Sequence, residues 1–242
     1  MSLTVGSGPF GHRPTGRFDF EPPERITFVE LHRPRVRGIK DGETVVDSDR
    51  VRLVYRTGSL PRYAFPAEDV RIASRPEPAV EGYVQVGWDA VDTWLEEDAE
   101  RIVHPHDPYH RINVLPSSRQ VVVRVDGETV AESTRPRILF ETGLPPRYYL
   151  PAEDVRLDLL ADADGLTTGC AYKGWARYLD AAGAEAVAWV YDEPLRDGEP
   201  VRGLVCFFQE REEVEVVVDG EVVESPPTQW SGTDWISRYR RG

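Results

Sequence analysis

Apolar residues in this chain come in short runs, many of them alternating with polar ones, and not in helical stripes. Ile26–Glu30, Arg35–Ile39, Glu43–Asp47 and Arg52–Tyr55 read as strands. Lys40-Asp41-Gly42 reads as a hairpin turn, because a DG step supplies the positive φ such turns need. Thr57-Gly58 breaks the run, RYAFP continues in extended form, and Ala67–Asp69 reads as one helical turn. Strand pattern returns at Tyr83–Gly87, Asp92–Glu96, Arg101–Val103 and Leu204–Phe208. Asp89–Arg101 is the best helix former by propensity. Its counterpart Glu210–Val222 alternates β-branched residues, so a hairpin is predicted for both. No stretch sustains a helical period, and an all-β protein is expected.

The strand pattern occurs twice. Asp41–Arg71 pairs without a gap with Asp126–Arg156, 85 positions on, and 19 of the 31 positions are identical, DGETV and PAEDVR among them. After Ala73 the copies diverge. The second inserts Leu157–Arg202, with TTGCAYKGWARYLD and AVAWVYDEPL, before Leu204–Phe208. Aligning Gly82 with Gly203 sets Asp98-Ala99 over Asp219-Gly220 as a second turn. The expected organisation is an extended arm over residues 1–24, a truncated first repeat over 25–109, a complete second repeat over 110–225 and a tail over 226–242. The tail TQWSGTDWISRYRRG either docks by its two tryptophans or lies loose.

A net charge of −13 disfavours nucleic acid as a partner, and no apolar run approaches the length of a membrane span. With only Cys170 and Cys206 and no CxxC, neither a disulfide framework nor a structural zinc site is expected. No signal-peptide pattern opens the chain, so a cytoplasmic location is the default. Only Lys40 and Lys173 are lysines among 29 basic residues, which singles out Lys173.

DGETVAES, LFETGLPPRYYLPAEDVR, CAYKGWARY, VYDEPL and HPHDPYHRINVLPSSR together resemble the bacterial family called domain of unknown function 427. The resemblance runs over roughly residues 25–225, in a two-copy form whose first copy lacks the CxYKG arm. It implies two tandem β-tent-like domains, small twisted β-barrels of the kind found in methionine sulfoxide reductase B and the translationally controlled tumour protein. Some tents hold zinc through paired CxxC motifs, and this chain has none. One family label suggests nucleotidyl transfer, but no Gly-rich phosphate loop or paired metal-binding carboxylates accompany it.

Four segments offer chemistry, each beside a structural alternative. In PRYYLPAEDVR, Arg147 and Tyr148 suit a pocket rim for an anion; the alternative is Arg147 paired with Glu153 or Asp154 across an irregular sheet crossing. In CAYKGWARY, burial among Tyr172 and Trp175 would lower the pKa of Lys173 and make it a nucleophile or base, with Cys170 beside it. The alternative is a packed lysine stem. In HPHDPYHR, His104 and His110 suit acid–base work and Asp107 ligand contact, while two prolines keep His104, His106 and His110 from one metal-binding face. In WVYDEPL, Tyr191 and Glu193 suit a pocket wall and a general base, or merely a strand end before Pro194.

The expected site is therefore a small-molecule pocket in the second repeat, lined by Arg147, Tyr148, Tyr172, Lys173, Trp175 and Tyr191. His104, Asp107 and His110 would arrive from the connection. Its chemistry would be metal-independent acid–base or lysine-mediated work on an anionic metabolite, with no cofactor. Non-catalytic binding and a protein-interaction module stand as alternatives. The expected state is a monomer with an internal pseudo-dimer, or a weak homodimer.

Overall fold

A computed structural model describes residues 3–239. The chain divides into two compact units, one running through Arg111 and including Thr142–Leu144, the other comprising Ile112–Glu141 and the chain from Pro145 on. Both are all-β. Their sheets are antiparallel and none closes into a barrel, so the expected barrels are open two-sheet units.

The first unit contains β1 (Thr27–Leu31), β2 (Val36–Lys40), β3 (Glu43–Ser48), β4 (Arg52–Arg56), β5 (Ser59–Pro66), β6 (Arg75–Pro76), β7 (Tyr83–Gln85), β8 (Thr93–Glu96) and β9 (Ala99–Arg101). One sheet has the order β1-β4-β5-β7-β6 and the other β3-β2-β8-β9. Between them lies a core of Val36, Leu53, Tyr55, Tyr63, Phe65 and Trp94. The N-terminal arm docks on the β4–β5 turn: Thr4 is buried, its carbonyl accepts from Gly58 N at 2.8 Å, and its hydroxyl donates to Ser59 O at 3.1 Å.

The second unit contains β10 (Ile112–Pro116), β11 (Val121–Val125), β12 (Glu128–Ser133), β13 (Arg137–Glu141), β14 (Arg147–Leu150), β15 (Leu160–Cys170), β16 (Gly174–Ala181), β17 (Ala184–Val190), β18 (Val205–Phe207), β19 (Val214–Val218) and β20 (Glu221–Val222), then a single helical turn, α1 (Ile236–Tyr239). Its sheets run β10-β13-β14-β18-β17-β16-β15 and β12-β11-β19-β20. The insert of the second copy supplies β15, β16 and β17. In the first unit only the two-residue β6 stands at the place of β17: Pro76 pairs with Val84 as Val190 pairs with Val205.

Pairing registers repeat with the sequence. Thr27 faces Arg56 as Ile112 faces Glu141, and Val36 faces Ser48 as Val121 faces Ser133, each 85 positions on. Both copies carry a bulge at the same place, after Gly38 and after Val123. PAEDVR is the crossing between the two sheets. Pro66 is the last residue of β5 and Pro151 directly follows β14, a 3-10 turn follows each, and Val70 and Val155 bridge to Val46 and Ala131 in the other sheet. An arginine–aspartate bond fastens each crossing. Asp154 accepts from Ser133 Oγ at 2.7 Å and from the Arg135 guanidinium at 3.0 and 3.1 Å, and Arg50 reaches Asp69 at 2.9 Å in the first copy. The acids of this motif are thus structural, and their partner is Arg135, not Arg147.

One register departs from the sequence alignment. Val84 corresponds to Val205, 121 positions apart, whereas Glu96 corresponds to Val218, 122 apart. The second copy therefore holds one extra residue ahead of β19. The first copy's turn falls on Glu97-Asp98, with Glu97 at φ 50° matching Asp219 at φ 52°. A one-residue slip would have turned every β8 side chain to the opposite face.

Candidate functional site

The seven-stranded sheet of the second unit buries both faces. Leu150, Ala188, Val190, Val205 and Phe207 face the four-stranded sheet, while Tyr149, Trp189 and Cys206 belong to a second core with Tyr178, Tyr191 and Phe208. Successive strand residues point to opposite faces, so Arg147 and Tyr149 enter the second core and Tyr148 packs against the first. The expected pairing of Arg147 with Tyr148 at one rim is overturned by this parity.

Arg147 is a buried strut. Its Nη1 and Nη2 donate to Glu210 at 2.5 and 2.7 Å, and its guanidinium lies over the rings of Trp189 and Phe208 at 5.4 and 5.9 Å. The Glu210 side chain is wholly buried. Burial by itself would raise the Glu210 pKa, but the Arg147 fork and the Thr228 hydroxyl hold it below the usual carboxylate range.

Lys173 sits in the tight turn between β15 and β16, and its ammonium bonds to Glu141 on β13. Both residues are more than nine-tenths buried. Burial opposes the charge on Lys173, yet the Glu141 carboxylate outweighs it and holds the pKa above the ordinary lysine value. That reverses the expected depression: the amine stays protonated and is not a nucleophile at neutral pH. Around the pair stand the buried Tyr149, Tyr172 and Tyr191 and the partly exposed Cys170. Burial pushes Tyr149 and Tyr191 well above the usual phenol value and Tyr178 up to about 12, so all three keep their protons. Tyr149 accepts from Trp189 Nε1 at 3.1 Å, and the hydroxyls of Tyr178 and Thr168 lie 2.7 Å apart.

A loop closes over this centre. A parallel bridge between Tyr191 and Arg202 joins its ends, and Leu195 N donates to Lys173 O at 3.0 Å. Gly198 packs so tightly on the Lys173 backbone that a Cβ there would meet Lys173 Cα and O at 3.1 Å. Gly174, at φ 95°, has Leu195 N 3.2 Å from the place of a Cβ. Exposed ion pairs hold the loop: Arg177 with Asp192 at 2.5 Å, and Arg202 with Glu199 at 2.8 Å.

Of the remaining expected site residues, Trp175 and Glu193 do not line this centre. Trp175 is 57% exposed on the outer face of β16, because Gly174 takes the inward position. Glu193 is exposed on the loop and presents only its carbonyl to Gly174, which removes the general-base role in a hydrophobic pocket. His104, Asp107 and His110 belong to the first unit. There Asp107 caps a turn, accepting from Tyr109 N at 2.8 Å, and His104 Nδ1 lies 2.7 Å from Pro105 O. Burial lowers the His104 pKa. Among the described residues no group of three His, Cys, Asp or Glu is placed to hold a metal ion. Shallow depressions on the first unit lie at Arg35, Asp47, Arg50 and Asp69 and at Val54, Arg56 and Arg62; neither is lined by Lys173 or Arg147.

The sequence reading missed both buried acids, Glu141 and Glu210. For Glu141 a signal existed. The paired position in the first copy is Arg56, which pairs with the buried Glu77 at the end of β6. The two copies place an ion pair on the same strand position with the charges reversed, buried in the second copy and with a partly exposed arginine in the first. Opposite signs at one repeat position point to opposite partners.

A second buried polar centre was also missed, in the first unit. Glu96 accepts from Tyr63 Oη and Arg101 Nε, both at 2.6 Å, and His32 Nε2 lies 3.0 Å away. Burial would raise the Glu96 pKa, but His32, Tyr63 and Arg101 together bring it down from 4.5 to about 2. A carboxyl more acidic folded than unfolded stabilises fully above its unfolded pKa and loses that contribution as the pH falls through the folded one. The shift corresponds to about 3 kcal/mol. Glu96→Gln should therefore be less stable than the parent by about that much near neutrality, and the gap should close between about pH 4.5 and 2. Urea unfolding of both proteins across this range measures it; a gap independent of pH would sink the assignment.

Fold and centre together define an antiparallel two-sheet unit with an ion pair buried under a loop. Residues 113–222, from β10 to the end of β20, match the family described as Domain of unknown function (DUF427), which supports that family for the second unit. No curated protein matches the chain. No helix among the described residues is long and apolar enough to cross a membrane.

Proposed function

We propose that the second unit binds a small polar molecule at the Lys173–Glu141 centre, reached from the Cys170 side beneath the Tyr191–Arg202 loop. The observation that carries this reading is the buried ion pair ringed by protonated phenols, within the segment that matches the family. Buried charges are costly to maintain, and clusters of perturbed titratable groups concentrate at functional sites. Lys173 acts as a fixed cation. Because Glu141 already neutralises it, the ligand that suits the pair offers an acceptor to Lys173 and a donor to Glu141, as an amide or a zwitterion does. A bare anion would have to displace Glu141. The Arg56–Glu77 pair at the matching place of the first copy favours a second reading, in which the ion pair only pins the sheet.

The test is a thermal-shift screen of small metabolites on the parent and on Lys173→Met/Glu141→Leu, which removes both charges together. A ligand at about 100 times its Kd raises folded-state stability by about 2.7 kcal/mol. The expected result is a ligand that stabilises the parent and has no effect on the folded double variant. If nothing shifts the parent and the double variant is as stable, the pinning reading holds and the binding reading fails.

A further inference from the structure

The family match ends at Val222, yet the second core of this unit is finished by residues beyond it. From Glu224 the chain runs through Ser225, Pro226 and Pro227 without strand pairing, then folds back. Thr228 donates its hydroxyl to Glu210 Oε1 at 2.7 Å, the acid that holds Arg147. Trp230 stacks on Phe208 with ring centroids 6.1 Å apart and planes 24° apart. Trp235 lies 5.0 Å from Tyr178 and 5.9 Å from Phe208, and its indole nitrogen is buried without a hydrogen-bond partner. Trp235 and Ile236 are more than nine-tenths buried.

These contacts have the form of a peptide docked on a surface. A few aromatic anchors enter, one polar bond fixes the register, and between the anchors the segment adds no strand to either sheet. The Pro226-Pro227 pair ahead of the anchors keeps the connection extended and out of strand pairing with β20. We infer that residues 226–239 are a ligand bound in cis, and that the Tyr178–Trp189–Phe208 face with the Arg147–Glu210 pair is a docking site for a segment of the pattern Thr-x-Trp followed by Trp-Ile. The occupant is the chain's own tail. This inference does not depend on the Lys173–Glu141 reading.

The experiment inserts a specific protease site between Ser225 and Pro226 of the full chain and cleaves the folded protein. The cut tail should stay bound, leave on dilution, and be displaced by excess synthetic peptide of the sequence 226–239. Release should shift tryptophan emission to the red as Trp235 enters water, while the strand signal in circular dichroism is retained. The same peptide carrying Trp235→Ala should displace at least tenfold more weakly. A tail that never exchanges, or a body that loses its strand signal when the tail leaves, would show that the segment is a fixed part of the core and overturn the inference.

Discussion

Lys173→Met is expected to lower folding stability by about 3–5 kcal/mol, because it strands Glu141 as a buried carboxylate. The loss comes from the charge left behind, not from the lysine's own contacts. Methionine matches the length of the lysine stem and keeps its packing beside Tyr149 and Tyr191. Adding Glu141→Leu should therefore restore most of the loss, since a buried pair replaced by apolar side chains of similar size is often neutral or better. The measurement is a double-mutant cycle in urea, followed on the unfolding transition of the second unit. If the two single losses simply add in the double variant, Lys173 and Glu141 are not coupled and the proposed centre does not exist.

Arg147→Met should cost a similar 3–5 kcal/mol, by stranding Glu210. Here the conservative change is informative as well. Lysine keeps the charge but cannot reproduce the two-pronged bond to Glu210 or the stacking over Trp189 and Phe208, so Arg147→Lys should fall between parent and methionine. Because Thr228 shares Glu210, Arg147→Met should also loosen the tail, visible as faster amide exchange in residues 228–236. An Arg147→Met protein as stable as the parent would return Arg147 to the role of a pocket-rim cation.

Both predictions rest on partners distant in sequence. Glu210 lies 63 positions from Arg147, and Glu141 lies 32 from Lys173. Local spacing had offered Arg147 the nearby Glu153 and Asp154, but the sheet crossing spends those on Arg135 and on solvent. Lys173 stood out because lysine is rare in this chain, and it is indeed buried. The direction of its pKa shift was not legible, since that depends on which charge β13 brings beside it. Tyr148 and Tyr149 are adjacent and alike on paper; strand parity alone sends one into each core. Trp175 looked like a pocket wall and Glu193 like a general base, yet a hairpin that turns Gly174 inward leaves Trp175 in water, and Glu193 is exposed on the loop.

Short alternating runs, DG turns and the repeat determined that this protein is all-β and that its two copies pair their strands in the same register. These features are local or periodic: a strand's two-residue period, a turn's need for positive φ, and a proline-bounded crossing are written in neighbouring residues. Tertiary structure alone decided that the sheets stay open, that one extra residue precedes β19, and which acid neutralises each buried cation. It also decided that the tail docks. A buried charge is satisfied by whichever opposite charge the fold brings within about 3 Å, and that distance is set by sheet packing, to which sequence separation is blind.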